Sequence, residues 1–229
     1  MCSEDRIRSA MSGIVIANLG TGNLRSVSKA VEFVNGRAAT VTADPNVIQN
    51  ADHLILPGQG AIGTWINQLN MDPVLKKAVE SRVAHGPVLG ICLGLQALFD
   101  RSEESGGING LGILPGRVRH FANEHRNVEK ESVEAEHKLK IPHMGWNQVY
   151  QVGEHPLWQD IPDGERFYFV HSYFVEAANN VDEVGQCIYG NVFTAAAARK
   201  NIFATQFHPE KSQRAGLQLI KNFINWNGV

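Results

Sequence analysis

Apolar positions along this chain follow two spacings that alternate. "GIVIANLG" (13–20) is a β-branched run closing on glycine, and "NLRSVSKAVEFV" (23–34) follows with Leu24, Val27, Val31 and Val34 at helical intervals. "AATVTA" (38–43) and "HLILPGQG" (53–60) read as two further strands, the second ending in a proline–glycine turn. In "MDPVLKKAVESRVAHG" (71–86), Asp72 stands before Pro73 and Gly86 closes the far end, which is the punctuation of a helix. "PVLGI" (87–91) and "LGLQALF" (93–99) repeat the strand–helix alternation. Alternation of this kind predicts an α/β fold: a mostly parallel open sheet with helices on both faces, its ligands gathered at the carboxyl ends of the strands.

The second half changes character. "GRVRHF", "NQVYQV", "RFYFVHSYFVEA", "EVGQCIYG", "VFTAAAARKN" and "IFATQFHPE" read as shorter strands, hence antiparallel additions to the sheet. "QRAGLQLIKNFINWN" (213–227) closes the chain as an amphipathic helix. Residues 123–140 are charged and poorly periodic, a solvated excursion. Residues 1–12 read as an N-terminal tail and 13–229 as one domain.

Composition narrows the function. The 21 basic and 23 acidic residues nearly cancel, so no broad field favours nucleic acid or an anionic membrane. No apolar run reaches the ~18 residues of a membrane span, and the charged start is unlike a secretory signal. Three scattered cysteines, Cys2, Cys92 and Cys187, argue for a reducing compartment, so a cytoplasmic location is expected. The nine histidines show no metal-ligand spacing, and no metal is expected.

The chemistry concentrates at "VLGICLGLQALF" (88–99). G-x-C-x-G between a strand and a helix is the thiol form of the nucleophile elbow, in which small neighbours at Gly90 and Gly94 admit a strained turn at Cys92. A helix start behind the sulfur favours the thiolate and offers backbone N–H groups to an oxyanion. "ATQFHPEKS" (204–212) supplies His208 as base and Glu210, two residues on, to orient it. A tight turn with an inert cysteine and an exposed His-Pro-Glu turn are the plain alternatives. His143 and His171, among aromatics, read as core or interface, and Cys187 as a small core residue.

At these residues the chain resembles the class I glutamine amidotransferases, through the cysteine elbow, the late H-P-E and the earlier P-G-x-G turn. Within that class "GTGNLRSV", "LPGQG", "GICLGLQALFDRSEE", "IPHMGWN", "FYFVHSY" and "FHPEKS" are similar to the glutaminase subunits of imidazole glycerol phosphate synthases. The resemblance implies hydrolysis of L-glutamine to glutamate and ammonia. The ammonia then passes through a (β/α)8-barrel cyclase partner that makes imidazole glycerol phosphate and aminoimidazole carboxamide ribotide in histidine biosynthesis. No cofactor is implied. Cys92 is then the nucleophile, His208 its base and Glu210 the orienting acid. Gly58, Gln59, Gly60 and Leu93 form the oxyanion site, and Gln96, Glu104, Ser172 and Tyr173 line the glutamine pocket. Asn23, Arg25, Met144, Trp146, Asn147 and Lys211 face the cyclase. Gln59 replaces the usual valine of P-G-V-G, and Leu95 the usual methionine after the elbow. A paralogous amidating synthase, a free-standing γ-glutamyl hydrolase and a non-catalytic binding subunit remain the alternatives.

Overall fold

A computed structural model describes residues 13–125 and 139–229. The expected N-terminal tail, with Cys2, lies outside the described residues, as does most of the 123–140 excursion. Strands are β1 Ile14–Ala17, β2 Thr40–Thr42, β3 His53–Gly58, β4 Val88–Cys92, β5 Phe99–Ser102, β6 Ile108–Asn109 and β7 Leu114–His120. They continue with β8 His143–Gln151, β9 Glu165–His171, β10 Tyr173–Ala177, β11 Glu183–Tyr189, β12 Asn191–Arg199 and β13 Ile202–Thr205. Helices are α1 Leu24–Asn35, α2 Pro45–Gln49, α3 Ile62–Met71, α4 Pro73–His85, α5 Leu93–Leu98, α6 Phe121–His125 and α7 Gln213–Asn225.

The sheet runs β2-β1-β3-β4-β13-β12-β10-β7-β5-β6, and its first five strands are all parallel. From β12 onward the added strands pair antiparallel except β5, which runs parallel to β7, and β11, β8 and β9 form a ribbon branching from β12. Both faces of the parallel part are covered, so the alternation of side chains feeds two cores. Ile16, Ile55, Leu89 and Ile91 pack with Val27 and Val31 of α1 and with Leu219, Ile220 and Phe223 of α7. Val15, Leu54, Leu56 and Val88 pack on the other face with Trp65 of α3 and with Leu75 and Val79 of α4. The expected start of α4 holds: the Asp72 carboxylate accepts from the N–H groups of Val74 and Leu75.

Three local expectations are corrected. "LGLQALF" is helical only to Leu98, because Phe99 is drawn into β5 beside Leu114. α2 and α3 occupy stretches that carried no helical reading: α2 is a five-residue helix capped by Asp44, which accepts from the Asn46 N–H ahead of Pro45, whereas α3 has no side-chain cap bond on Ala61 and buries Ile62, Trp65, Ile66 and Leu69. "RFYFVHSYFVEA" is not one strand: at Ser172 the chain leaves its partner β8 and joins β7 in the main sheet.

The elbow explains its glycines. A Cβ on Gly94 would sit 1.8 Å from the Leu56 carbonyl oxygen, and one on Gly90 would sit 2.9 Å from the Ala204 Cβ. Nothing larger than hydrogen lets α5 start so close above β3. Gly94→Ala must therefore push backbone against backbone. We expect a loss of about 3 kcal/mol and a fall in Tm on the order of 10 °C, read by thermal melting; a wild-type melt would mean that the helix moves aside freely.

Candidate active site

Cys92 ends β4 and stands before α5 with φ 54° and ψ −101°. A non-glycine residue held there stores on the order of 1–3 kcal/mol of strain. The parallel register puts Gly58 of β3 directly beside it. A Cβ on Gly58 would lie 2.5 Å from the Leu93 Cβ, so the turn at Gly58, Gln59 and Gly60 approaches the elbow as only glycine permits. Leu93 is the first residue of α5, and its N–H has no acceptor within the helix. α5 is six residues long, so the dipole expected behind the sulfur is a short one.

On the far side of Cys92, β13 pairs in parallel with β4 and delivers the chain to His208. The His208 N–H donates to the Tyr168 carbonyl at 2.9 Å. The Ser212 hydroxyl donates to the His208 carbonyl at 2.6 Å and accepts from the Tyr168 N–H at 2.9 Å. Gly216 of α7 adds to this clamp, since a Cβ there would meet the Pro209 carbonyl at 1.9 Å. Thus held, the imidazole Nδ1–H donates to Glu210 Oε1 at 2.8 Å, with both side chains almost fully buried. Burial by itself lowers the His208 pKa. The negative charge on Cys92 and the bond to Glu210 outweigh it and raise the group to about 10. Cys187, buried in β11, shows the opposite condition: burial without a cation pushes its thiol up to about 12.

Gln96 is buried on α5 and its Nε2 donates to the Tyr173 carbonyl at 3.0 Å and to Gln206 Oε1 at 3.2 Å. Among the described residues no group hydrogen-bonds His208 Nε2, Glu210 Oε2 or Gln96 Oε1, although all three atoms are buried. Unpartnered polar atoms this concentrated mark a place built for a molecule that brings its own polar groups. Strand, elbow, helix and H-P-E turn thus bring an oriented imidazole, a buried sulfur and the N–H groups at the start of α5 to the carboxyl ends of neighbouring strands.

The family model described as "Glutamine amidotransferase class-I" matches residues 16–226. The chain belongs to the class I glutamine amidotransferases. This amidotransferase is 50% identical over 220 residues to the imidazole glycerol phosphate synthase subunit HisH of Nitrosospira multiformis, covering 96% of this chain and 100% of that one. It is 47% identical over 221 residues to the same-named subunit of Pseudomonas savastanoi pv. phaseolicola, covering 95% and 99%. A solved structure described as a glutamine amidotransferase shares the fold with a TM-score of 0.66 at 17% identity, covering 94% and 99%.

The remaining expected residues distribute unevenly around this amidotransferase's pocket. Glu104 caps α3, its Oε2 accepting from the Ile62 N–H at 2.9 Å, and its charge helps to raise the Tyr173 phenol after burial has done so. Ser172 gives its carbonyl to the Phe121 N–H. Met144 and Trp146 are 62% and 41% exposed, too much for a core reading of that stretch. Trp146 meets Tyr168 edge-on, and Lys211 lies 6.0 Å above the same Tyr168 ring. Asn23 caps α1 by accepting from the Ser26 N–H, and Arg25 beside it is exposed. Asn147 differs from expectation: its amide is turned inward, donating to the Ile188 carbonyl and to His143 Nε2.

That inward turn joins a buried pair that the sequence reading had left as core. His171 Nδ1 bonds the Tyr173 carbonyl at 2.7 Å, so Nδ1 carries the proton. His171 Nε2 then accepts from His143 Nδ1 at 2.9 Å, leaving His143 Nε2 to accept from Asn147. Both rings are neutral: burial lowers His143 to about 4, and burial above all, with the cost of a second positive charge beside His143 or His208, lowers His171 to about 3. Burial lowers His155 to about 4 as well. Because these folded-state values lie below the unfolded 6.5, the unfolded chain takes up the protons first. Stability is present above pH 6.5 and is lost as pH falls from there toward 3. His208 runs the other way: raised to about 10 when folded, it opposes this slope near and above pH 6.5 and adds none well below it, where both states are protonated. We expect urea midpoints to fall steadily from about pH 6 to about pH 4, with His171 alone contributing about 1 kcal/mol per pH unit; a flat profile would mean that the pair accepts a proton in place.

Proposed function

We infer that this amidotransferase is the glutaminase subunit of an imidazole glycerol phosphate synthase. The observation that carries the chemistry is the buried Cys92–His208–Glu210 set, with its imidazole raised to about 10 by the charge on Cys92. An imidazole held in place by the Glu210 carboxylate is oriented to take the Cys92 proton, which supplies the thiolate that attacks glutamine.

The thiolate attacks the carboxamide carbon of glutamine. The oxygen that takes up the negative charge meets the Leu93 N–H and an N–H of the Gly58–Gln59–Gly60 turn. The tetrahedral adduct collapses as the His208 imidazolium gives its proton to the departing nitrogen. Ammonia leaves and a γ-glutamyl thioester remains on Cys92. A water molecule, deprotonated by the now neutral His208, attacks the thioester carbon. Glutamate leaves, and the thiolate and imidazolium are restored. Gln96 and Glu104 hold the polar groups of the substrate, with the backbone at Ser172 and Tyr173 lining the pocket.

The acceptor for the ammonia belongs to a (β/α)8-barrel cyclase. Met144 and Trp146 support a partner surface there, because aromatic and methionine side chains are enriched in interface cores, with Lys211 beside Tyr168 on its polar rim. Asn23 and Arg25 at the start of α1 extend that surface, since α1 packs against the 3₁₀ turn Pro209–Lys211. A free-standing γ-glutamyl hydrolase needs no such face.

Glutamate release is the test, measured for the chain alone, with a cyclase subunit, and with that cyclase plus its ribonucleotide ligand. Slow turnover alone and a large rise only in the third condition are expected; brisk turnover indifferent to the cyclase would establish a free-standing hydrolase instead. Cys92→Ala should lower glutamate release by on the order of a thousandfold or more, and activity persisting in it would remove Cys92 as nucleophile. Gln59→Val should change the ratio of stimulated to unstimulated rate, and an unchanged ratio would take the Gln59 side chain out of the mechanism.

A further inference from the structure

Gln206 had no place in the sequence reading, yet it is fully buried and both ends of its carboxamide are engaged at the candidate active site. The register of β13 against β4 pairs Thr205 with Ile91, so the next step along both strands sets Gln206 beside Cys92. Its backbone N–H continues the ladder to the Ala195 carbonyl at 2.8 Å, which fixes the point from which the side chain departs. Oε1 accepts from Gln96 Nε2 at 3.2 Å, and Nε2 donates to Cys92 Sγ at 3.7 Å.

The orientation of this carboxamide is forced by its neighbours. The Tyr173 carbonyl has only acceptor capacity and receives Gln96 Nε2. That same Nε2 faces Gln206, which must therefore present its oxygen. The other end of the Gln206 amide, an N–H donor, is left for the sulfur. Gln206 thus links the group expected to hold glutamine to the atom expected to attack it.

We propose that Gln206 holds the Cys92 sulfur as a thiolate through its side-chain N–H and, through its oxygen, orients Gln96 toward the substrate. This rests on the glutaminase reading for its substrate but not for its effect on the thiol. The His208 imidazole, whose Nε2 has no hydrogen-bond partner among the described residues, favours a sulfur anion only while it carries its second proton. In thioester breakdown the water attacks with His208 collecting a proton, and the carbon–sulfur bond breaks to release sulfur as an anion. The amide of Gln206 neither gains nor loses a proton in either half of the cycle. It is the constant donor that makes sulfur a better leaving group. Its oxygen leaves Gln96 Oε1 as the free acceptor in the pocket.

Gln206→Met keeps the volume and removes both polar ends, whereas Gln206→Glu keeps an acceptor for Gln96 and removes the donor. The readout is the pH dependence of iodoacetamide alkylation at the Cys92 peptide, followed by mass spectrometry, which needs no glutaminase activity and separates Cys92 from the other thiols. In each folded variant the alkylation midpoint should move upward, with the thiolate fraction below the midpoint falling about tenfold in Gln206→Met and further in Gln206→Glu. Steady-state glutaminase kinetics should show a raised KM for glutamine in Gln206→Met, where Gln96 loses its anchor, and a smaller rise in Gln206→Glu. A midpoint that stays at the wild-type pH in the folded variants, whatever happens to kcat, would reduce Gln206 to a packing residue and overturn the proposal. Wild-type protein that releases no glutamate, with the midpoint still shifted in the Gln206 variants, would instead fault the glutaminase reading and leave the assignment of Gln206 intact.

Discussion

Parallel pairing of β3, β4 and β13 is the constraint on which the site depends, because parallel strands bring their carboxyl ends to one level. Gly58 is opposite Cys92 in that ladder, and Thr205 is opposite Ile91. Three segments far apart in sequence therefore turn out of the sheet at the same height: the Gly58–Gly60 turn, the elbow at Cys92 and the path to His208. Slipping β13 by one residue would send Gln206 to the opposite face and carry His208 with it. The register is fixed by the alternate burial of Phe203 on one face and Ile202 and Ala204 on the other, so packing chosen for the core also sets the chemistry.

Polar groups enter this apolar frame as a continuous network rather than as separate pairs. It runs from Asn147 through His143 and His171 to the Tyr173 carbonyl, which Gln96 also reaches, and from Gln96 through Gln206 to the Cys92 sulfur. Each link leaves its neighbour one choice of donor and acceptor, beginning from a carbonyl that can only accept. Burial keeps both histidines of the network neutral and so preserves that order. The break in the expected strand at Ser172 serves the same network, since it places His171 on β9 and Tyr173 on β10, where one ring can reach the other's carbonyl.

What was legible in the sequence was what sterics and chain geometry impose locally. Gly90 and Gly94 flank Cys92 because a Cβ on either would collide, and that is visible as spelling. His208 and Glu210 are legible because the partners are two residues apart and proline stands between them. The α4 start at Asp72 and Pro73 is local in the same sense. Gln206 was not legible: a glutamine before Phe207 looks like any polar residue at a strand end until β4 is known to be its neighbour. The His143–His171 bond spans 28 residues and two strands, and no spacing announces it. Glu104 was read as a substrate ligand, while its contact with the Ile62 N–H across the fold could come only from the tertiary structure. Short α5 was over-read because Phe99 suits a helix end and a strand equally well.

The electrostatics of the triad bear on where a partner can act. The Cys92 sulfur and the Glu210 carboxylate raise His208 to about 10, so the base of the proposed triad is held by groups of this chain alone. Attack still needs somewhere for the oxyanion, and there the structure is adjustable. Gln59 has an ordinary side chain at a turn whose flanking Gly60 sits at φ 99°, the region that favours glycine. A Cβ on Gly22 would lie 3.4 Å from the Gly58 Cα and 3.7 Å from the Gln59 nitrogen, so the loop leading into α1 rests directly on this turn. Asn23 and Arg25, on the face proposed for the cyclase, are the next exposed residues of that loop and helix. Under the proposed reading, a partner that shifts the start of α1 moves the backbone against which the oxyanion turn is packed. The same partner, pressing on Trp146 and through it on Tyr168, meets a residue whose backbone clamps His208 and whose displacement would disturb the His208–Glu210 pair. Stimulation without loss of the nucleophile therefore favours the route through Gly22 and Gly58 over the route through the H-P-E turn.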